Sequence, residues 1–146
     1  MQSDIVITTV AHVIQMAVAP VFLLTGVGAI LTVLTNRLAR IIDRARILEG
    51  RLPGSSEKEQ AELHKALLTL MRRSRLIHWA ISLCTMCALC ICIVIAALFA
   101  GAFWVVDVSA VIGLLFIFAM VVLICGLVIF LREISMATAS VRIGMR

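Results

Sequence analysis

The sequence predicts an all-α integral membrane protein with three transmembrane helices, a cytoplasmic helical hairpin between the first and second, and assembly as a symmetric homo-oligomer. Composition is the first ground: 63% of the 146 residues are hydrophobic and 14% charged, where soluble domains average roughly 45–50% and about 25%. Uncharged stretches are the second. Ile5 to Thr35, Leu76 to Trp104 and Val108 to Leu131 contain no Lys, Arg, Asp or Glu, and about 20 mainly apolar residues suffice to cross a bilayer. The placement of basic residues is the third. All 13 lie between Arg37 and Arg75 or at Arg132, Arg142 and Arg146. By the positive-inside rule, 36–75 and the carboxyl tail 132–146 are cytoplasmic and the amino terminus is outside. The whole chain reads as one membrane domain, with no room for a separate soluble enzyme.

The leading residues MQSD carry no positive charge, and the run that follows is too long for the apolar region of a signal peptide. It is therefore expected to remain as a first helix, about 5–35, inserted amino-terminus out. This helix is the polar one. Measured from Pro20 at about 100° per residue, Thr8, His12, Gln15, Ala19 and Gly26 cluster between about 220° and 280°. Thr25 and Thr32 add further hydroxyls. Lipid is the wrong solvent for such a stripe, so it should face protein or water. Two readings stand: hydrogen bonds to packed helices, or the wall of a solute path. Pro20 leaves the Met16 carbonyl without its usual donor and predicts a kink, while Gly26 and Gly28 allow another backbone to come close.

No helix breaker separates Gly28 from Gly50, so the first helix is expected to leave the membrane near 35–37 and continue as a basic amphipathic helix. With Arg37 at zero, Leu34, Leu38, Ile41, Ile42, Ala45 and Leu48 fall between about 20° and 140°, and Arg37, Arg40, Arg44 and Arg51 between about 300° and 0°, with Asp43 at about 240°. The segment GRLPGSS at 50–56 turns the chain. Ser56 and Glu59 form a capping box for the next helix, whose Leu63, Ala66, Leu67, Leu70 and Met71 make an apolar stripe suited to the first. Antiparallel pairing would bring Glu57, Glu59 and Glu62 near Arg44, Arg46 and Arg51. It would also gather Arg37, Arg40, Arg72, Arg73 and Arg75 at the membrane surface. That cluster reads as topology control and contact with anionic inner-leaflet lipids, or as an electropositive vestibule.

The second span, about 76–103, has Trp79 and Trp104 as interface anchors. Trp104–Asp107 is a short outer turn, and the third span, about 108–131, is apolar all round and the best candidate to face lipid. Cys84, Cys87, Cys90 and Cys92 spell a run like that of an iron–sulfur protein. On a membrane helix, though, cysteines three apart drift by about 60° and cannot converge. They read as small packing residues, and no metal or cofactor is expected. His12, His64 and His78 lack a second ligand at a useful spacing. No phosphate loop, nucleophile elbow or paired carboxylate is present, which removes the ground for an enzyme. Nucleic acid is a poor partner for basic residues that lack interleaved aromatics.

At PVFLLTGVGAILTVLTNRLARIIDRARILE the chain resembles a family of small bacterial integral membrane proteins, domain of unknown function 2721. Pro20, Gly26, Gly28, Arg37, Arg40, Asp43, Arg44 and Arg46 carry the resemblance, and the rest of the chain follows it more loosely. It implies a bacterial inner (plasma) membrane location and a three-span fold, and no assigned activity.

Three helices with one polar face cannot enclose a path alone, hence the expected homo-oligomer with first helices inward. The function expected is a channel or small-solute conduit. Thr8, His12, Gln15, Thr25 and Thr32 would line it, Pro20, Gly26 and Gly28 would act as a hinge, and Arg37, Arg40, Asp43 and Arg44 would form an inner electrostatic face. The alternative is a scaffold or assembly factor acting through the basic hairpin.

Overall fold

A computed structural model describes residues 2–54, 56–103 and 109–142, with side-chain surroundings at 11–54, 56–101 and 109–136. Three helices make up the described chain: α1 (Gln2–Arg51), α2 (Glu57–Phe103) and α3 (Ser109–Arg142), with a 3-10 turn at Leu52–Gly54 between the first two. Each has a stretch long and apolar enough to cross a membrane.

α1 passes through Pro20 and the expected surface at 35–37 without a break. Two of its hydroxyls bond back within the helix: Thr25 Oγ1 donates to the Val21 carbonyl at 3.2 Å and Thr35 Oγ1 to that of Thr32 at 3.0 Å. Such back-bonding lets Thr sit in an apolar helix without an orphaned hydroxyl. Pro53 and Gly54 fall in the 3-10 turn and stop α1. The Ser56 backbone N–H and Oγ both donate to Glu59 Oε2, at 3.0 and 3.1 Å, which starts α2 as the capping pattern predicts. Gln60 Nε2 then reaches back to the Leu52 carbonyl at 3.5 Å.

At its end α3 runs on through the tail to Arg142, because nothing from Arg132 to Arg142 breaks a helix. The outer turn Trp104–Asp107, Arg146 and the side chains of Thr8 and Arg142 lie outside the described residues.

Burial follows a seven-residue repeat on every helix: Val13, Pro20, Val27, Leu34 and Ile41 on α1; Leu70, Ile77, Cys84 and Ile91 on α2; Ala119, Gly126 and Glu133 on α3. Seven is the period at which helices keep one seam against their neighbours. The chain gathers into two compact units. The first takes its described residues from Met1–Leu31 and Leu83–Ile124, and its core is Val13, Ala17, Val27, Cys84, Cys87, Cys90, Ile91, Val94, Ala119, Val122 and Leu123. Cysteines at seam positions act as small apolar fillers. The second takes its described residues from Thr32–Ser82 and Cys125–Arg146, with Leu34, Ile41, Leu70, Ile77 and Ala80 buried. Outward, α3 exposes Val111, Leu114, Ile117, Val121, Ile124, Val128 and Leu131, the surface a lipid-facing helix presents.

Candidate functional site

The polar residues of α1 point away from its buried seam. His12, Gln15, Thr25 and Thr32 are all exposed, as are Gly26 and Gly28, and a methyl group built on either glycine meets nothing within 4 Å. Pro20 sits on the opposite side, buried in the seam. The stripe is therefore not used to pack the helices of this chain. The described polar residues spread over the outward half of α1, His12 and Gln15 at about 220–280° from Pro20 and Thr25 and Thr32 at about 120–140°, and the seam behind them is filled by Val13, Ala17 and Val27.

In the second unit one arginine of the expected electrostatic face has a different role. Glu133, two residues past the expected end of the third span, is fully buried at 0% exposure. Two arginines divide its carboxylate. Arg37 of α1 donates from Nη1 to Oε2 at 3.1 Å, and Arg73 of α2 donates from Nε and Nη2 to Oε1 at 3.1 and 2.8 Å. The Arg37 guanidinium also lies 5.5 Å from the centre of the Phe130 ring, within cation–π range. One residue from each helix thus meets at a single carboxylate. The arginine side chains keep 34% and 21% of their surface, so water still reaches the two cations while the anion is sealed. Among the described residues no buried polar side-chain atom is left without a partner. The signal for Glu133 was available: it stands seven residues after Gly126 and fourteen after Ala119, on the seam side of α3.

Arg40, Asp43 and Arg44 are separate from this junction. They are exposed and line a hollow of about 480 Å³ with Ile47, Leu48 and Arg51. Arg51 lines a hollow together with Glu59 and Glu62. Arg46 instead borders an apolar groove of about 580 Å³ between α1 and α2, floored by Leu38, Ile41, Ile42, Ala45, Leu70 and Met71. Cys84, Cys87 and Cys90 are buried and Cys92 and Cys125 exposed, all as free thiols. No group of His, Cys, Asp or Glu among the described residues could hold a metal ion.

Fold and junction together define an all-α protein whose three described helices are each long and apolar enough to cross a membrane, tied by one carboxylate and two guanidinium groups. The chain belongs to the family described as protein of unknown function DUF2721, whose family model matches residues 17–143. That range takes in Arg37, Arg73 and Glu133 and leaves out Thr8, His12 and Gln15. No curated protein and no solved structure matches the chain.

Proposed function

We propose that the protein is a non-enzymatic, homo-oligomeric membrane conduit for a small ion or solute, lined by α1. It would sit in a bacterial inner membrane with its amino terminus outside and its carboxyl terminus inside. One observation supports this above the others: α1 turns His12, Gln15, Thr25 and Thr32 outward while its seam is packed with apolar side chains. A polar face turned to hydrocarbon is costly, and further copies of the chain would cover it while keeping it wet. In this reading Thr8, His12 and Gln15 form the outer constriction, with Thr25 and Thr32 along the path. Gly26 is where copies approach, and Pro20 and Gly28 serve the hinge. Arg40 and Arg44, partly offset by Asp43, bias the inner mouth toward anions. Arg37 is reassigned: bound to Glu133, it positions α1 and does not line the path.

The test is flux through liposomes carrying the pure protein. A small anion should pass, and His12→Leu or Gln15→Leu should lower its flux about tenfold or more, while Ile117→Leu on the outer side of α3 leaves it unchanged. No flux of any small ion overturns the proposal.

The second reading is a membrane scaffold resting on anionic lipid, and the open groove beside Arg46 favours it. It requires that reversing Arg40 and Arg44, or deleting 50–60, releases a bound partner while His12→Leu does not.

A further inference from the structure

The α1 wall of the groove between α1 and α2, from Ile41 to Arg46 and Glu49, spans about 40–180° around the helix from Arg37, and no residue of α3 lines the groove. Hydrocarbon cannot cover it. The same stretch carries Arg40, Asp43, Arg44, Arg46 and Glu49 on α1 and Arg72, Arg73 and Arg75 on α2, a density of charge no bilayer core accepts. Yet Ile42 is 40% exposed and Met71 65%. Large apolar side chains gathered at a groove in water mark a binding surface.

Charge says what kind. The groove is bordered by Arg46, Arg75 and His78, with Glu49 the one acid among its lining residues. Neither Arg46 nor Arg75 makes an ion pair among the described residues. The surrounding segment 37–75 holds ten Lys and Arg against five Asp and Glu, so an acidic partner is attracted to the groove more strongly than another basic one. Two helices with an open apolar trough between them are the receiving half of helix-in-groove recognition.

We propose that this groove binds an amphipathic helix of a partner protein, its apolar stripe seated on Ile42, Leu70 and Met71 and its acidic flanks against Arg46 and Arg75. The proposal is independent of the conduit.

The experiment uses the full chain in neutral-lipid nanodiscs and a labelled designed helix of about 18 residues, with Leu at i, i+3, i+4 and i+7 and Glu on both flanks. Fluorescence anisotropy should show saturable binding, about tenfold or more weaker for a scramble of the same composition. Met71→Ser and Ile42→Ser, both at solvent-facing positions, should each weaken binding about fivefold or more. Arg46→Glu with Arg75→Glu should abolish it, and a Lys-flanked version of the peptide should then bind the variant. Equal binding of the scramble, or unchanged binding to Met71→Ser, overturns the proposal. A fall in particle mass on Met71→Ser also overturns it, since a second copy then fills the groove. So does loss of binding to anionic vesicles in the double-arginine variant with peptide binding unchanged, since the groove is then a lipid contact. Liposome flux is measured beside each variant, so failure here is distinguishable from failure of the conduit reading.

Discussion

Arg73 holds one oxygen of Glu133 with two of its nitrogens, Nε at 3.1 Å and Nη2 at 2.8 Å, while Arg37 takes the other oxygen with a single hydrogen bond. The α2–α3 pair is therefore the firmer half of the junction and α1 the lighter attachment.

Removing the shared anion leaves two cations facing each other. Breaking a buried ion pair costs about 3–5 kcal/mol, and here the arginines reach water, so Glu133→Ala is expected to cost about 2–4 kcal/mol. Arg73→Ala should cost more than Arg37→Ala. The triple replacement Arg37→Met, Arg73→Leu, Glu133→Leu should keep the fold, because apolar side chains of similar volume can replace a buried ionic group. Thermal melting in detergent measures all four. Unchanged melting of Glu133→Ala would show that the junction contributes nothing.

Acid should loosen the start of α2. The hydrogen bonds from the Ser56 backbone first, and from its hydroxyl second, hold the Glu59 carboxyl below its ordinary value of 4.5. A group with a depressed folded pKa stabilises above its unfolded pKa, and that contribution is lost as pH falls through the folded value. Protection of the Gln60 amide, which donates to the Ser56 carbonyl at 2.9 Å, should therefore drop below about pH 4.5. Hydrogen exchange corrected for the intrinsic rate reads it. Glu59→Ala should remove the pH dependence, and its persistence would assign the effect elsewhere.

Thiol chemistry should divide the five cysteines. In detergent, N-ethylmaleimide should reach Cys92 and Cys125 and spare Cys84, Cys87 and Cys90 until the chain is denatured. Intact-mass spectrometry counts the adducts. Rapid modification of Cys84 in the native protein would contradict its place in the core.

Gly26 separates folding from assembly. No atom lies within 4 Å of a methyl group built there, so Gly26→Ala should leave the fold intact, and helix propensity favours it by about 1 kcal/mol. Gly26→Leu fills the outer face and should reduce the particle mass if copies approach at this position. Unchanged mass and flux would place the contact between copies elsewhere.

Much of this was legible in the chain because the physics is local. The long uncharged stretches, the Ser56–Glu59 cap and the apolar stripes of α1 and α2 each depend on residues a turn or two apart. Polarity of the α1 stripe was also legible, although its direction was not, since a stripe can face inward or outward until the seam is known. Glu133 was missed for a related reason. Next to Arg132 at the end of an apolar run, it reads as an ordinary membrane-surface residue. Its role depends on Arg37 and Arg73, ninety-six and sixty residues away. Counting back in sevens to Gly126 and Ala119 would have put an acid on the seam and prompted the search for its cations.

The position of Glu133 in that repeat also acts as an address for α3. Sliding the helix by one repeat, about 10.5 Å, would present Gly126 or Ser140 to the two guanidinium groups, and turning it by one residue, about 100°, would present Arg132 or Ile134. None of these is an anion, and one is a third cation. Only one depth and one rotation satisfy Arg37 and Arg73. α3 follows α1 and α2 along the chain, and it supplies the countercharge that Arg37 and Arg73 share.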